Sequence, residues 1–159
     1  RTLKDTISKA ITGFEGKGLT VDHKTGKVYV SMENKLLFNS GSWAVGAEGR
    51  RAVTELGKVL GDNPDLSVLI EGHTDDDPYA GSGPIANNWD LSTKRATAIV
   101  AILSENNKIN KQKLTAAGRS EFSPLASNAT PEGKAKNRRI EIILTPRLDE
   151  IAEMLNSIN

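Results

Sequence analysis

Hydrophobic residues recur every three or four positions in four stretches of the chain, the spacing of a helix with one buried face. The first stretch lies within residues 1–14, before a group of glycines, and the last covers residues 147–159. Between them, helices are predicted from about residue 46 to 60, ended by Gly61–Pro64, and from about Trp89 to Glu105. Pro131 begins a short helical turn that runs to Lys136.

Alternating or β-branched apolar runs predict the strands. Residues 21–32 form two strands around a turn at Lys24–Lys27, Leu66–His73 is a largely covered strand, and residues 113–117 and 138–144 add two more. Strands interleaved with helices of about 15 residues favour a sheet covered by helices, and the helical crossover after His73 makes one strand pair parallel. The predicted fold is therefore α/β (α+β), a two-layer sandwich with a mixed sheet. Its expected parts are a helix or linker over residues 1–20, a domain over 21–146 and a C-terminal helix over 147–159.

Composition narrows the class of protein. The 159 residues suit one domain with a sizeable core, and a net charge of +1 gives no broad field of one sign that would attract nucleic acid or anionic lipid. Cysteine is absent, which excludes a disulfide framework and a thiolate metal site. No apolar run approaches the roughly 20 residues of a spanning helix. The chain opens at Arg1 without a leader, so we expect a fragment or mature form whose membrane attachment, if any, lies outside it.

One strand-loop-helix unit brings a carboxylate and a guanidinium to the same end of the sheet. Asp75 follows the Leu66–His73 strand, and Arg95 falls inside the apolar arc of the next helix. A guanidinium held toward the sheet requires an anion, and Asp75 is the nearest by topology. Two interpretations stay open: an internal salt bridge, or a pair that brackets a ligand with a carboxylate and an ammonium. Asn88 is the predicted N-cap of a helix whose first amides would face the same anion.

Several motifs in this order resemble the OmpA-like peptidoglycan-binding family, which includes the C-terminal domain of OmpA, the Pal lipoprotein and the stator protein MotB. The resemblance covers roughly Val28 to Leu144. The motifs are Gly72-His73-Thr74-Asp75, Asn88-Trp89-Asp90-Leu91-Ser92 with Arg95-Ala96, Gly118 before a proline-containing loop, and Asn137-Arg138-Arg139-Ile140-Glu141-Ile142; Leu37-Phe38-Asn39-Ser40-Gly41 is similar to the family's Phe-x-x-Gly sequence.

The resemblance implies an OmpA-like binding domain, not an enzyme, that needs no cofactor or metal. Such domains hold the diaminopimelate of the peptidoglycan stem peptide through the Asp and Arg of the two motifs, here Asp75 and Arg95, with Thr74, Asn88 and Leu91 shaping the same pocket. The implied role is to anchor an envelope protein to the cell wall from the periplasm. The implied tether is the outer membrane, or the inner membrane for a stator-like protein. Related domains dimerise, so a homodimer is also a candidate.

Strand parity favours Arg138 over Arg139 as a further site residue. Arg138 shares its face with Ile140 and so points toward the helix layer, whereas Arg139 and Glu141 take the other face. The alternative is that Arg138 is a structural cation for the loop at residues 130–137. The chain also departs from compact family members, because residues 76–85 lengthen the loop between the two main motifs.

Two other functions stay open. The first is the periplasmic anchor of a MotB-like motor stator, favoured by Asn88-Trp89 and the amphipathic first helix. The second, more remote, is a metal-dependent hydrolase that uses His73 and the acids at 75–77. No established metal-site spacing occurs around His73, so a hydrogen-bonded structural histidine is expected. The basic run at residues 134–139 lacks interleaved aromatic residues, so nucleic acid is not an expected partner.

Overall fold

The computed structural model describes residues 3–14, 16–39, 42–79, 81 and 83–146. The predicted helix over residues 147–159 lies outside this range. None of the helices within it is long and apolar enough to cross a membrane. The elements, in chain order, are α1 (Leu3–Ala10), a 3₁₀ turn (Thr12–Phe14), β1 (Leu19–Lys24), β2 (Lys27–Glu33), α2 (Asn34–Leu37), α3 (Ala47–Gly61), β3 (Ser67–His73), α4 (Asn88–Leu103), a second 3₁₀ turn (Lys111–Lys113), β4 (Leu114–Gly118), α5 (Pro131–Asn137) and β5 (Arg139–Thr145).

The five strands form one mixed sheet in the order β1-β2-β5-β3-β4. Neighbouring strands are antiparallel except β3 and β4, which are parallel. This parallel pair is the one joined through α4, as the helical crossover predicted. β5 is the last of the described strands in sequence but lies between β2 and β3, in the middle of the sheet.

Alternation along the strands places one apolar row against the helices. Val68 and Ile70 of β3 and Ile140 and Ile142 of β5 are buried on this side of the sheet. The facing helices α3 and α4 contribute a buried stripe that includes Ala52, Val53, Leu56, Leu60, Ile99 and Leu103. Each large apolar side chain buried in this way contributes about 1.5–3 kcal/mol. The two-layer α/β sandwich expected from the sequence is confirmed.

The N-terminal segment belongs to this core. Ile7 and Ile11 are both 0% exposed and lie in the same buried cluster as the sheet. Helix α1 contacts α3 and β1, and β1 already begins at Leu19. The structured domain therefore includes residues before 21, the position at which the sequence suggested that it starts.

Candidate ligand-binding site

A cavity of about 700 Å³ lies at the carboxyl end of β3, beside the first turns of α4. The strand end and α4 supply two walls, α2 and the residues after it supply a third, and the loop after Asp75 completes it. All six residues that the sequence selected line this cavity. The full lining consists of Asn34, Lys35, Phe38, Asn39, Thr74, Asp75, Asp77, Pro78, Tyr79, Asn88, Leu91, Arg95 and Arg138.

Gly72 lets α4 approach the strand that carries the site. A Cβ atom at this position would stand 2.0 Å from the carbonyl oxygen of Ser92, a backbone atom of α4. Only glycine therefore permits the helix to lie directly on β3. The close approach brings the first turns of α4, with Leu91 and Arg95, next to the strand end that leads to Asp75.

The N-cap of α4 is Asn87, and the prediction of Asn88 as the cap is wrong. Asn87 has an extended backbone, and its side-chain oxygen accepts a hydrogen bond from Asp90 N at 2.9 Å. Asn88 is the first helical residue. Its Nδ2 donates to the carbonyl oxygen of Asp77 at 3.0 Å, so it holds the loop after Asp75 against the helix.

Asp75 is a buried acid whose two oxygens already have partners. Its Oδ2 accepts from Nη1 of Arg138 at 2.6 Å, and its Oδ1 accepts from the backbone N of Asp77 at 3.0 Å. The side chain of Arg138 is 41% exposed, whereas that of Asp75 is 8% exposed. The sheet register pairs His73 with Arg139, which places Arg138 beside the residues that follow β3. The direct partner of Asp75 is therefore Arg138, and not Arg95 as the sequence suggested.

Arg95 is buried without an anion among the described residues. It is 5% exposed, its Nε donates to the carbonyl oxygen of Ser42 at 2.9 Å, and its guanidinium lies 5.3 Å from the centroid of the Phe38 ring. Within the described part of the chain, no carboxylate oxygen lies within 4.0 Å of this guanidinium. The predicted burial of Arg95 is confirmed, but the internal Asp75–Arg95 salt bridge is not formed.

The electrostatic environment of Arg95 reflects this position. Burial is the main factor that lowers the pKa of Arg95, and Arg138 lowers it further, while Tyr79 and Asp75 oppose the shift. A guanidinium nevertheless stays protonated in proteins. The cavity wall therefore contains a permanent, poorly hydrated positive charge, and only its Nε donates to a described residue.

The lengthened loop is fixed to the cavity wall at its start. Oδ1 of Asp77 accepts from Nζ of Lys134 at 2.6 Å, a hydrogen bond that raises the pKa of Lys134. Pro78 and Tyr79 then line the cavity. The insertion thus adds wall residues to the site, and its first residues are held to α5 and to α4.

Arg139 lies on the opposite face of the sheet, as strand parity predicted. It is 3% exposed, its Nε donates to Oε2 of Glu141 at 2.7 Å, and its Nη2 donates to the carbonyl oxygen of Ser123 at 2.9 Å. Arg139 is therefore a structural cation that fixes the loop before α5, whereas Arg138 lines the cavity.

His73 is a buried neutral residue outside the cavity lining. Its Nε2 is 3.2 Å from Oε1 of Glu71, and because a carboxylate only accepts, the ring must donate there. Burial, together with the positive charges of Arg139 and Arg119, lowers the pKa of His73 to about 3. Among the residues that the structure describes, no group of three or more His, Asp or Glu side chains is arranged to hold a metal ion.

Sequence reasoning missed several cavity residues. Asn34 and Lys35 line the cavity because they begin α2, the short helix that directly follows β2. The only local signal was the run of three polar residues, Glu33-Asn34-Lys35, between the apolar positions Met32 and Leu36. Trp89, although part of the Asn88-Trp89-Asp90-Leu91-Ser92 motif, is absent from the lining; it is half exposed, and its ring centroid lies 5.5 Å from that of Phe122.

Two curated proteins and one solved structure are among those to which this chain is similar. Motility protein B of Bacillus subtilis (strain 168) is 36% identical over 118 residues, which cover 74% of this chain and 45% of that protein. Peptidoglycan-binding protein ArfA of Mycobacterium tuberculosis is 38% identical over 81 residues, 51% of this chain and 23% of that protein. The solved structure of the cell wall anchor of the T6SS from Pseudomonas aeruginosa matches with a TM-score of 0.79 and 27% identity, over 89% of this chain and 97% of that one.

The chain spans less than half the length of either curated relative. The sequence profile described as the OmpA family matches residues 37–138, which include every cavity residue except Asn34 and Lys35. On this match and on the shared fold, the chain belongs to the OmpA family.

Proposed function

We propose that this domain binds peptidoglycan non-covalently, by holding the diaminopimelate of the stem peptide in the cavity at the end of β3. In this role it anchors an envelope protein to the cell wall from the periplasm. The observation that carries the proposal is Arg95, a buried cation on the cavity wall that no carboxylate of the described residues neutralises. The names of two similar proteins, a peptidoglycan-binding protein and a cell wall anchor, support it.

The chemistry of the two charged residues suits the free end of diaminopimelate, which carries a carboxylate and an ammonium group. A guanidinium has five N–H donors in a planar fork, and Arg95 uses one of them on Ser42. The remaining donors allow bidentate binding of the ligand carboxylate. Asp75 keeps acceptor capacity beyond its two hydrogen bonds and takes the ammonium.

Arg138 and Asn88 act through Asp75 and its loop. The 2.6 Å contact from Nη1 of Arg138 orients the Asp75 carboxylate. Asn88 holds the carbonyl oxygen of Asp77, whose backbone N in turn binds Asp75. Thr74 and Leu91 complete the wall. No covalent step is involved: affinity arises from charge-assisted hydrogen bonds in a site partly shielded from water.

A titration of the isolated domain with stem peptides tests this proposal. Diaminopimelate has a second carboxylate that lysine lacks, so a lysine-containing peptide should bind at least about 30-fold more weakly. The variant Asp75→Asn keeps the shape of the side chain but loses its charge, and it should lose most of the binding to the diaminopimelate peptide. Equal affinity of the unaltered domain for the two peptides would contradict the role of Arg95.

In a second candidate role, the same cavity binds peptidoglycan, but the full-length protein that contains the domain is part of a motor. The similarity to Motility protein B over 74% of the chain favours the periplasmic anchor of a motor stator. A stator protein would carry one spanning helix with an acidic residue upstream of residue 1. The sequence of the full-length gene distinguishes the two roles, because an outer-membrane barrel or lipid anchor in that place would exclude the stator.

A further inference from the structure

Asn34 is a buried polar residue of the cavity wall whose side chain forms no hydrogen bond with any described residue. The residue is 6% exposed, and neither Oδ1 nor Nδ2 finds a partner in the described part of the protein. The one other buried side-chain atom in this condition there is Nδ1 of His73, which is outside the cavity lining. Buried polar groups are almost always paired, so an unpaired amide at a ligand cavity calls for an explanation.

The backbone of Asn34 is fixed, but its side chain is not. Its N donates to the carbonyl oxygen of Arg138 at 2.8 Å, and its carbonyl oxygen accepts from the N of Phe38 at 2.7 Å. Both neighbours line the same cavity. A rotation of the amide about Cα–Cβ toward a ligand would break no hydrogen bond to a residue that the structure describes, because the amide makes none there.

The free donor and acceptor define the group that would satisfy them. An amide side chain offers two N–H donors and one carbonyl acceptor. A carboxylate would satisfy only Nδ2, and an ammonium would satisfy only Oδ1. Arg95 and Asp75 already provide for those charged groups. A primary carboxamide of the ligand would satisfy both atoms of Asn34 with two reciprocal hydrogen bonds, and a trans peptide group, whose N–H and C=O point in opposite directions, would satisfy one of them.

We propose that Asn34 binds an amide group of the ligand beside its charged end, so that the cavity selects amide-bearing diaminopimelate over the free amino acid. This inference rests on the proposed function of the same cavity. Asn34 precedes the region matched by the family profile, which begins at residue 37. The amide could come from a primary carboxamide, which pairs with both atoms of Asn34, or from a peptide bond of the stem, which pairs with one of them.

Calorimetric titration with three ligands tests the proposal. The ligands are free meso-diaminopimelate, its monoamide, and a tripeptide that ends in diaminopimelate; the variants are Asn34→Leu and, as a smaller apolar replacement, Asn34→Ala. Both should bind the amide-bearing ligands about tenfold more weakly and the free amino acid within about twofold of the unaltered domain. Loss with the tripeptide alone identifies a peptide bond, and loss with the monoamide alone identifies a carboxamide.

Thermal unfolding without ligand provides a second readout. Asn34→Leu removes an unpaired buried amide without changing the backbone contacts, so its melting temperature should be equal to or higher than that of the unaltered domain. Asn107→Leu, at an exposed asparagine outside the cavity, is the matched control and should change no affinity.

Equal losses for all three ligands would show that Asn34 only shapes the cavity, and no loss for any of them would show that it binds nothing; either result overturns the inference. Failure of the unaltered domain to bind any of the three would instead count against the proposed function itself.

Discussion

Replacing Arg95 by methionine separates binding from stability at one position. Methionine keeps a long unbranched stem and removes the charge. In the unliganded domain the change deletes one hydrogen bond, from Nε to the carbonyl oxygen of Ser42 at 2.9 Å, and the guanidinium contact with the Phe38 ring at 5.3 Å. It also removes a charge that is 5% exposed and unneutralised by the described carboxylates.

The two effects on stability have opposite signs. The lost hydrogen bond is worth about 1.5–3 kcal/mol because its donor is charged, and the lost ring contact about 0.5–2 kcal/mol. Against this, burial of an ion costs several kcal/mol in lost hydration, and Arg95→Met removes this cost. We therefore expect the free energy of unfolding to change by no more than about 1 kcal/mol.

The affinity for the ligand should fall much more than the stability when Arg95 is replaced by methionine. Removal of one partner from a buried, hydrogen-bonded charge pair costs about 2–5 kcal/mol, which corresponds to a loss of about 30- to 4,000-fold in affinity. Calorimetry with the diaminopimelate tripeptide measures this loss, and urea unfolding measures stability.

Arg119→Met is the matched control, since Arg119 is half exposed, contacts Glu71 at 3.5 Å and does not line the cavity. Destabilisation of Arg95→Met by more than about 3 kcal/mol would identify Arg95 as a structural cation. Affinity within threefold of the unaltered domain would refute the ligand-binding role.

Four further substitutions and a change of pH test the structure around the site. Gly72→Ala forces a methyl group onto the Ser92 carbonyl and should cost about 3 kcal/mol or more in urea unfolding; a cost below about 1 kcal/mol would contradict the close helix–strand approach. Asn87→Ala should cost about 1 kcal/mol through loss of the N-cap, whereas Asn88→Ala should leave the cap intact and weaken ligand binding. The pKa of His73 is about 3 in the folded state and about 6.5 when unfolded, so protons bind preferentially to the unfolded chain between these values. Stability should fall as the pH drops through that window, by at most about 1.4 kcal/mol per pH unit, and His73→Gln should flatten the dependence.

The sequence predicted what depends on local periodicity. Alternation along Ser67–His73 and the 3.6-residue stripe of Asn88–Leu103 identified a strand and a helix that the structure confirms. The same spacing also placed Arg95 on the buried side of that helix, because side-chain direction in a regular helix follows from spacing alone. Gly72, which permits the close contact between β3 and α4, could be recognised in the sequence only as part of a motif. The steric reason for a glycine at this position became visible in the structure.

What the sequence could not supply was the pairing of distant residues. Asp75 and Arg138 are 63 positions apart, and they meet because β5 packs beside β3. Two adjacent asparagines are equally good N-caps by residue type, so only the extended backbone of Asn87 decides between them. Asn34 was overlooked because its importance depends on an unpaired amide, a condition that exists only once the surrounding residues have packed.

The position of β5 sets the order in which the domain becomes stable. β2 and β3 both use β5 as a neighbour, so a chain shortened before Arg139 keeps only an N-terminal hairpin and a separate parallel pair. Pairings between segments this far apart in sequence carry a large loop-closure cost and form slowly. During synthesis from the N-terminus, the two parts of the sheet therefore cannot be joined until β5 emerges, and a chain that stops before Arg139 leaves unpaired the strand edges of β2 and β3 that β5 covers, which favours aggregation.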